Sequence, residues 1–152
     1  MGTYSIRPAY EADHDAVVAC VQSAYDKYIT RIGRKPAPLL ADYHALIVRD
    51  VVYVLVNNNE EICGVLVMMP QENGMFVENI AVDPRFQGQG LGRMLMAFVE
   101  QQARSMQLNA IHLYTHELMT ENLRIYHHLG FEEEERRNEG GFHRVFLGKE
   151  LM

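Results

Sequence analysis

Glycines 88, 90 and 92 stand in the run Gln87-Gly88-Gln89-Gly90-Leu91-Gly92, and their spacing points to anion binding. Glycine has no Cβ, so a ligand can approach the backbone closely, and the first-turn N–H groups of a helix beginning at Gly90 have no intrahelical partner. Such a helix start favours a phosphate. The run is not a P-loop, because Gly92 is followed by Arg93-Met94 where that loop requires lysine and then serine or threonine. The dinucleotide fingerprint fits no better: the spacing is G-x-G-x-G, and Asp83 to Gln87 intervene after the preceding strand. Arg85 and Arg93 flank the loop and are placed in sequence to pair with a phosphate. Upstream, Glu78 lies in a β-rich stretch, where strand alternation sets it on one face with Phe76, Ile80 and Val82. A carboxylate among apolar neighbours takes up a proton more readily, which suits a general base.

These groups need a strand, a loop and a helix in succession. Phe76 to Val82 reads as a buried strand that Asp83-Pro84 closes. The helix that follows has Leu91, Met94, Leu95, Phe98, Val99 and Met106 as its apolar stripe. Earlier in the chain, Tyr4 to Pro8 predicts a short strand, and a helix starts at Asp13 or His14 with the stripe Val17, Val18, Val21, Ala24, Tyr25 and Tyr28. Arg31 to Pro38 breaks that helix and carries three positive charges, and a shorter helix runs from Leu39 to Val48. Val51 to Val56 and Ile62 to Met69 are strands joined across Asn57 to Glu61, and Gln71 to Gly74 form a turn. Ile111 to Thr115 predicts a fifth strand, flanked by His112 and His116 in a pattern that does not suit a metal pair. Met119 to Leu129 is a helix ended by Gly130 at a left-handed cap, and Phe131 onward and Phe142 to Leu147 supply the last two strands. The order β-α-α-β-β-β-α-β-α-β-β implies an α/β (α+β) protein whose mixed sheet carries helices on its faces.

The hexapeptide Gln87 to Gly92 resembles the Q/R-x-x-G-x-G/A motif of the GNAT superfamily of acetyl-CoA-dependent N-acetyltransferases. A second stretch, Tyr126-His127-His128-Leu129-Gly130-Phe131, is similar to the Y-x-x-L-G-F that ends the helix after that family's fifth strand. The element order is also the GNAT order, so the resemblance spans nearly the whole chain. It implies a mostly antiparallel sheet of seven strands with about four helices, in a single domain over residues 1–152. It further implies that Gln87 to Gly92, with Arg93, hold the coenzyme A pyrophosphate, and that Ile80, Ala81 and Val82 offer backbone groups to the pantetheine arm. Many members place an asparagine seven residues before the tyrosine; here that position is Met119, and Asn122 is the candidate for the contact.

Acetyl transfer to an amine requires a neutral nucleophile, a positioned carbonyl, a donor to the oxyanion and a proton for the departing thiolate. Alkylamines titrate near 10.4, so a base must take up their proton at neutral pH. Glu78 is the candidate base. The resemblance implies that Tyr126 is the general acid and that a backbone N–H near Asn79 or Ile80 meets the oxyanion. Cys20 and Cys63 stand in no motif that suggests a covalent acyl-enzyme, so direct attack in a ternary complex is expected. A small primary amine is the expected acceptor, since the segment Arg31 to Pro38 is long enough to shape a closed pocket. The alternatives are a protein lysine or N-terminal amine, and a noncatalytic acyl-CoA-binding regulatory domain; a nucleotide-binding protein is a further rival.

Composition agrees with a globular protein: 152 residues, 48% of them hydrophobic. A formal charge of −6 argues against a nucleic acid partner and suits a cationic acceptor. Two cysteines without CxxC or Cys/His spacing indicate neither a disulfide framework nor a metal site. The first residues do not read as a signal peptide and no apolar run is long enough for a membrane span, so a cytoplasmic location is expected. A homodimer is expected only from the family's habit.

Overall fold

The computed structural model describes residues 3–151. Its elements are β1 (Ser5–Pro8), α1 (His14–Ile32), α2 (Tyr43–Val48), β2 (Val52–Val56), β3 (Ile62–Gln71), β4 (Gly74–Val82), α3 (Leu91–Ser105), β5 (Ala110–His116), α4 (Thr120–His128), β6 (Glu132–Glu139) and β7 (Phe142–Glu150). Short 3-10 turns precede α1 and α2 and follow β4. The strands form one mixed sheet in the order β1-β2-β3-β4-β5-β7-β6. β4 and β5 run parallel, whereas β1/β2, β2/β3, β5/β7 and β6/β7 are antiparallel. No helix among the described residues is long and apolar enough to cross a membrane.

The chain divides into two compact units. The first comprises Met1–Met68 and Asn79–Phe98. Its core is built on β2 and β3, and Cys63 to Met68 are buried without a break, as expected of a strand covered on both faces. α1 turns Val17, Cys20, Val21, Tyr25 and Tyr28 inward. Gly64 allows a close approach at the centre. A Cβ there would lie 3.1 Å from Leu95 Cδ1 and 3.2 Å from the Ala81 carbonyl. Leu95 is fully buried beside it, which stabilises the unit by roughly 1.5–3 kcal/mol.

The second unit comprises Met69–Glu78 and Val99–Met152. Here β5 and β7 pair from Ala110↔Glu150 to His116↔Arg144. Alternation sends Ile111, Leu113, Val145 and Leu147 into the core. The opposite face carries His112, Tyr114, His116, Phe142, Arg144 and Phe146. β6 is the outer strand and Glu132 to Asn138 are exposed. Its charges face water and partly pair with one another, as Arg136 with Glu133 (2.9 Å) and Arg137 with Glu135 (2.6 Å). Charge along an edge strand discourages pairing with a second chain.

Several boundaries differ from the sequence expectation. Leu39 and Leu40 belong to a 3-10 turn over Ala37–Leu40, and α2 starts only at Tyr43 because Asp42 caps it, accepting the Ala45 N–H at 3.1 Å. In α3 the buried stripe is Leu91, Leu95, Met96, Val99 and Ala103, whereas Met94 and Met106 are exposed. Methionine is compatible with either environment, so its presence in a periodic pattern decides little. β3 runs past Met69 to Gln71, and β5 includes both His112 and His116.

Candidate active site

In the first unit, the glycine run lies open between a 3-10 turn at Pro84–Phe86 and α3. Gly88 and Gly90 have φ of +83° and +77°. Residues with a Cβ rarely adopt that conformation, so these positions require glycine. Among the described residues, chain neighbours and the helix's own backbone aside, no atom lies within 4 Å of where a Cβ would stand on Gly88, Gly90 or Gly92. The loop is therefore not glycine-rich for tight packing. Gln87 to Gly90 are exposed, Leu91 is buried as the anchor of α3, and Arg93 is exposed in its first turn. The Tyr4 hydroxyl donates to Gln89 Oε1. Arg85 is committed elsewhere, to the Asp83 carboxylate at 3.2 Å and more loosely to Glu61 at 3.9 Å.

The end of β4 leads into this loop, with Ala81 buried and Ile80 and Val82 half-buried. A buried hydrogen-bond network holds the adjacent residue, Asn79. The Tyr25 hydroxyl is shared between Asn79 Oδ1 (2.8 Å) and the Ile80 carbonyl (3.0 Å). Asn79 Nδ2 donates to Tyr43 Oη (3.0 Å), which itself donates to the Pro38 carbonyl (2.6 Å). α1, the 36–40 segment and α2 are thereby tied to β4 at the residues preceding the loop. Tyr25 had been legible only as an apolar-stripe residue, and Tyr43 had not been singled out. A tyrosine on such a stripe beside an asparagine in a buried strand was the available signal.

The second unit contains Glu78 and Tyr126. The parallel β4/β5 ladder consists of Met75↔Ile111, Phe76↔His112 and Val77↔Leu113, and Glu78 is the residue just past its last pair. Glu78 is half-buried, like Phe76 two residues before it. The Tyr114 ring stacks on Phe76 (centroids 5.9 Å apart), meets Phe146 at 5.6 Å, and lies 4.4 Å under the Arg144 guanidinium carbon. Burial pushes the Tyr114 phenol up; Arg144 opposes that and the Glu78 charge adds to it. The sequence reading did not single out Tyr114, although alternation along β5 puts it on the face that Glu78 shares.

Tyr126 is buried in the last turn of α4, with its ring edge-on to Phe131 at 5.8 Å. The Phe131 N–H donates to the Tyr126 carbonyl at 3.0 Å, and Gly130 has φ +96°, the left-handed cap expected there. Glycine and phenylalanine at the end of the motif thus fix the tyrosine's position. Asn122 turns its amide onto Met119 Sδ at 3.6 Å, and the Thr115 hydroxyl donates to the same sulfur at 3.5 Å. Met119 is buried and fills the position where many GNAT proteins have asparagine. His127 and His128 are exposed at the C-terminal end of α4, where a cation suits the helix dipole.

The model of the acetyltransferase (GNAT) family matches residues 15–131. The chain belongs to that family. Solved structures at low identity share the fold. The PaiA N-acetyltransferase of Thermoplasma acidophilum, in complex with coenzyme A, is 14% identical over 97% of this chain and 99% of that one, with a TM-score of 0.75. The ribosomal-protein-S18-alanine N-acetyltransferase of Escherichia coli is 19% identical over 98% and 94%, with a TM-score of 0.73. A nourseothricin acetyltransferase is 17% identical over 98% and 99%, with a TM-score of 0.75. No curated protein matches the sequence. The GNAT assignment accounts for the element order and the two motifs, and it makes the protein an acetyltransferase.

Proposed function

We propose that this GNAT protein transfers an acetyl group from acetyl-CoA to the primary amine of a small metabolite, by direct attack in a ternary complex. The observation that carries this reading is the open glycine loop before α3, with left-handed backbone at Gly88 and Gly90 and clear space above all three glycines. Backbone N–H groups from Gln87 to Gly92 bind the coenzyme pyrophosphate, and Arg93 adds charge. Ile80, Ala81 and Val82 position the pantetheine arm, and Asn122 contacts it once released from Met119.

In the reaction the amine nitrogen attacks the thioester carbon and the C–S bond breaks. Glu78 takes the proton lost by the amine, directly or through water, and the Tyr126 phenol protonates the coenzyme thiolate. A backbone N–H near Asn79 or Ile80 stabilises the oxyanion. A cysteine acyl-enzyme has no support. Cys20 and Cys63 are buried, and burial pushes the Cys20 thiol up to about 12 and the Cys63 thiol upward. Two free thiols fit a reducing compartment such as the cytoplasm. In this proposal residues 1–152 act as one catalytic domain.

A small acceptor is favoured over a protein because the segment before α2 is pinned by Tyr43 at Pro38, as a pre-formed wall would be. The test is the thermal stability shift with acetyl-CoA, coenzyme A and ATP added separately, followed by thiol release across an amine panel. A ligand that binds only the folded state stabilises it by about 2.7 kcal/mol at a hundred times its Kd. Stabilisation by both coenzymes and not by ATP, with amine-dependent thiol release, is the expected result. Absence of any coenzyme shift at millimolar concentration overturns the reading. Coenzyme shifts without thiol release for any small amine leave a protein acceptor or a noncatalytic binding domain.

A further inference from the structure

His116 closes β5 and is 7% exposed. The Leu118 N–H donates to its Nδ1 at 3.1 Å. A ring nitrogen that accepts carries no proton, so in the neutral imidazole the proton sits on Nε2. Burial lowers the pKa of His116, with the neighbouring His143 adding to that and Glu117 opposing it. The neutral, tautomer-locked ring is thus the form present near pH 7. Nε2 has no hydrogen-bond partner among the described residues. Yet no side-chain nitrogen or oxygen among them is both fully enclosed and unpartnered. The Nε2–H therefore reaches the surface from an otherwise buried ring.

That donor lies on the same strand face as Tyr114 and Glu78. Tyr114 is near enough to Glu78 to feel its charge. His116 stands two residues beyond Tyr114, about 7 Å further along the strand. It is held there by the rings of Phe142 (6.5 Å) and His143 (6.2 Å), and its register partner on β7 is Arg144. Arg144 is itself bound to Glu139 at 2.8 Å, and the His116 N–H stands on this stretch of β5 without a protein acceptor among the described residues.

We infer that His116 Nε2–H binds a carbonyl or carboxylate oxygen of the acceptor while the acceptor's amine faces Glu78, so the preferred acceptors are small molecules in which an amine and a carbonyl sit on adjacent carbons. In an α-amino carbonyl compound the nitrogen and oxygen are about 3 Å apart. Two hydrogen bonds of about 2.9 Å, one at each end, extend that reach to about 9 Å. This matches an offset of about 7 Å along the strand combined with the roughly 4.8 Å between neighbouring strands, with both side chains on one face. A plain alkylamine leaves the His116 donor unsatisfied once water is excluded, which is the situation in which polar sites discriminate most strongly.

This inference rests on the small-amine reading of the site, and the test separates the two. Thiol release is measured with the common amino acids, their amides, and alkylamines matched to them but lacking the carbonyl. The substitutions are H116N and H116Q. Asparagine places its amide oxygen near the Nδ1 position and keeps the Leu118 bond while removing the Nε2 donor. Glutamine does the reverse. In the wild type, kcat/KM for carbonyl-bearing amines should exceed that of their matched alkylamines by on the order of tenfold, the worth of one directed hydrogen bond. H116N should abolish that preference through the acceptor KM, with the acetyl-CoA KM and the Tm unchanged. H116Q should keep the preference while its Tm falls. Equal turnover of matched pairs by the wild type, or a preference that survives in H116N, overturns the inference and leaves the amine acetyltransferase standing. Failure to acetylate any amine in the panel removes the small-amine reading, and this inference with it.

Discussion

Replacing Tyr25 with phenylalanine removes one oxygen from the network that holds β4 beside the glycine loop. That oxygen is 2.8 Å from Asn79 Oδ1 and 3.0 Å from the Ile80 carbonyl, and Tyr25 and Asn79 are 7% and 5% exposed. The buried Asn79 Oδ1 and the half-buried Ile80 carbonyl then lose the one proton they share, which water cannot readily replace at Asn79. A buried group left unsatisfied costs about 1–3 kcal/mol. For a chain of this length each kcal/mol lowers Tm by about 2–4 °C, so Tyr25→Phe should melt roughly 2–12 °C below wild type. Tyr43→Phe attacks the other side of the same asparagine, removing the acceptor for Asn79 Nδ2. Because both changes act on Asn79, their effects should not add. Once one hydroxyl is gone the asparagine is less well held, and the double variant should fall short of the sum by about 0.5–3 kcal/mol. Calorimetric melting of the four proteins, with guanidinium midpoints at constant m, measures this directly. A Tyr25→Phe Tm within about 1 °C of wild type, or strict additivity of the two changes, refutes the claim that this network holds the strand.

Three further outcomes are expected. Tyr126→Phe should lower kcat by about 10²–10⁴, the usual worth of a positioned acid, while the thermal shift produced by coenzyme A persists; unchanged turnover would remove the tyrosine from the proton transfer. Asp13 is held below its ordinary value of 3.8, first by its hydrogen bond from Arg7 and less by the Tyr10 backbone and the Arg7 charge, against desolvation. A depressed carboxylate stabilises the fold fully above its unfolded pKa and loses that contribution as pH falls through the folded one, so urea midpoints of wild type and Asp13→Asn should differ at pH 6, begin to approach each other near 3.8 and converge only at still lower pH. Ellman's reagent at pH 8 should leave both buried cysteines unmodified in the native protein and titrate two thiols in guanidinium; rapid native labelling of Cys20 would contradict its burial.

Much of the architecture was legible because its signals are local. Gly88 and Gly90 needed left-handed backbone, Gly130 a helix cap, and Pro84 a strand end, and each residue type admits few alternatives. The run Cys63 to Met68 and the alternation from Phe76 to Val82 marked the strands for the same reason. Boundaries were less legible where a residue suits two environments. Met94 and Met106 fitted a helical stripe yet lie in water, while Met96 and Ala103 took their places in the core. The α2 start was set by the Asp42 cap rather than by the apolar pattern that began at Leu39.

The sequence by itself determined the order of elements, the glycine loop and the family, since these follow from residue types within a few positions of one another. Only the tertiary structure decided which polar atoms are spent on the fold. Asn79 is satisfied by two tyrosines distant in sequence, Arg85 is taken by Asp83, and Asn122 meets the sulfur of Met119. It also decided that His116, which reads in the sequence as one of two histidines flanking the fifth strand, accepts a bond at one ring nitrogen and presents the other. Hydrogen-bond partners are chosen by proximity in space, and the side-chain type alone carries no record of which partner will be near.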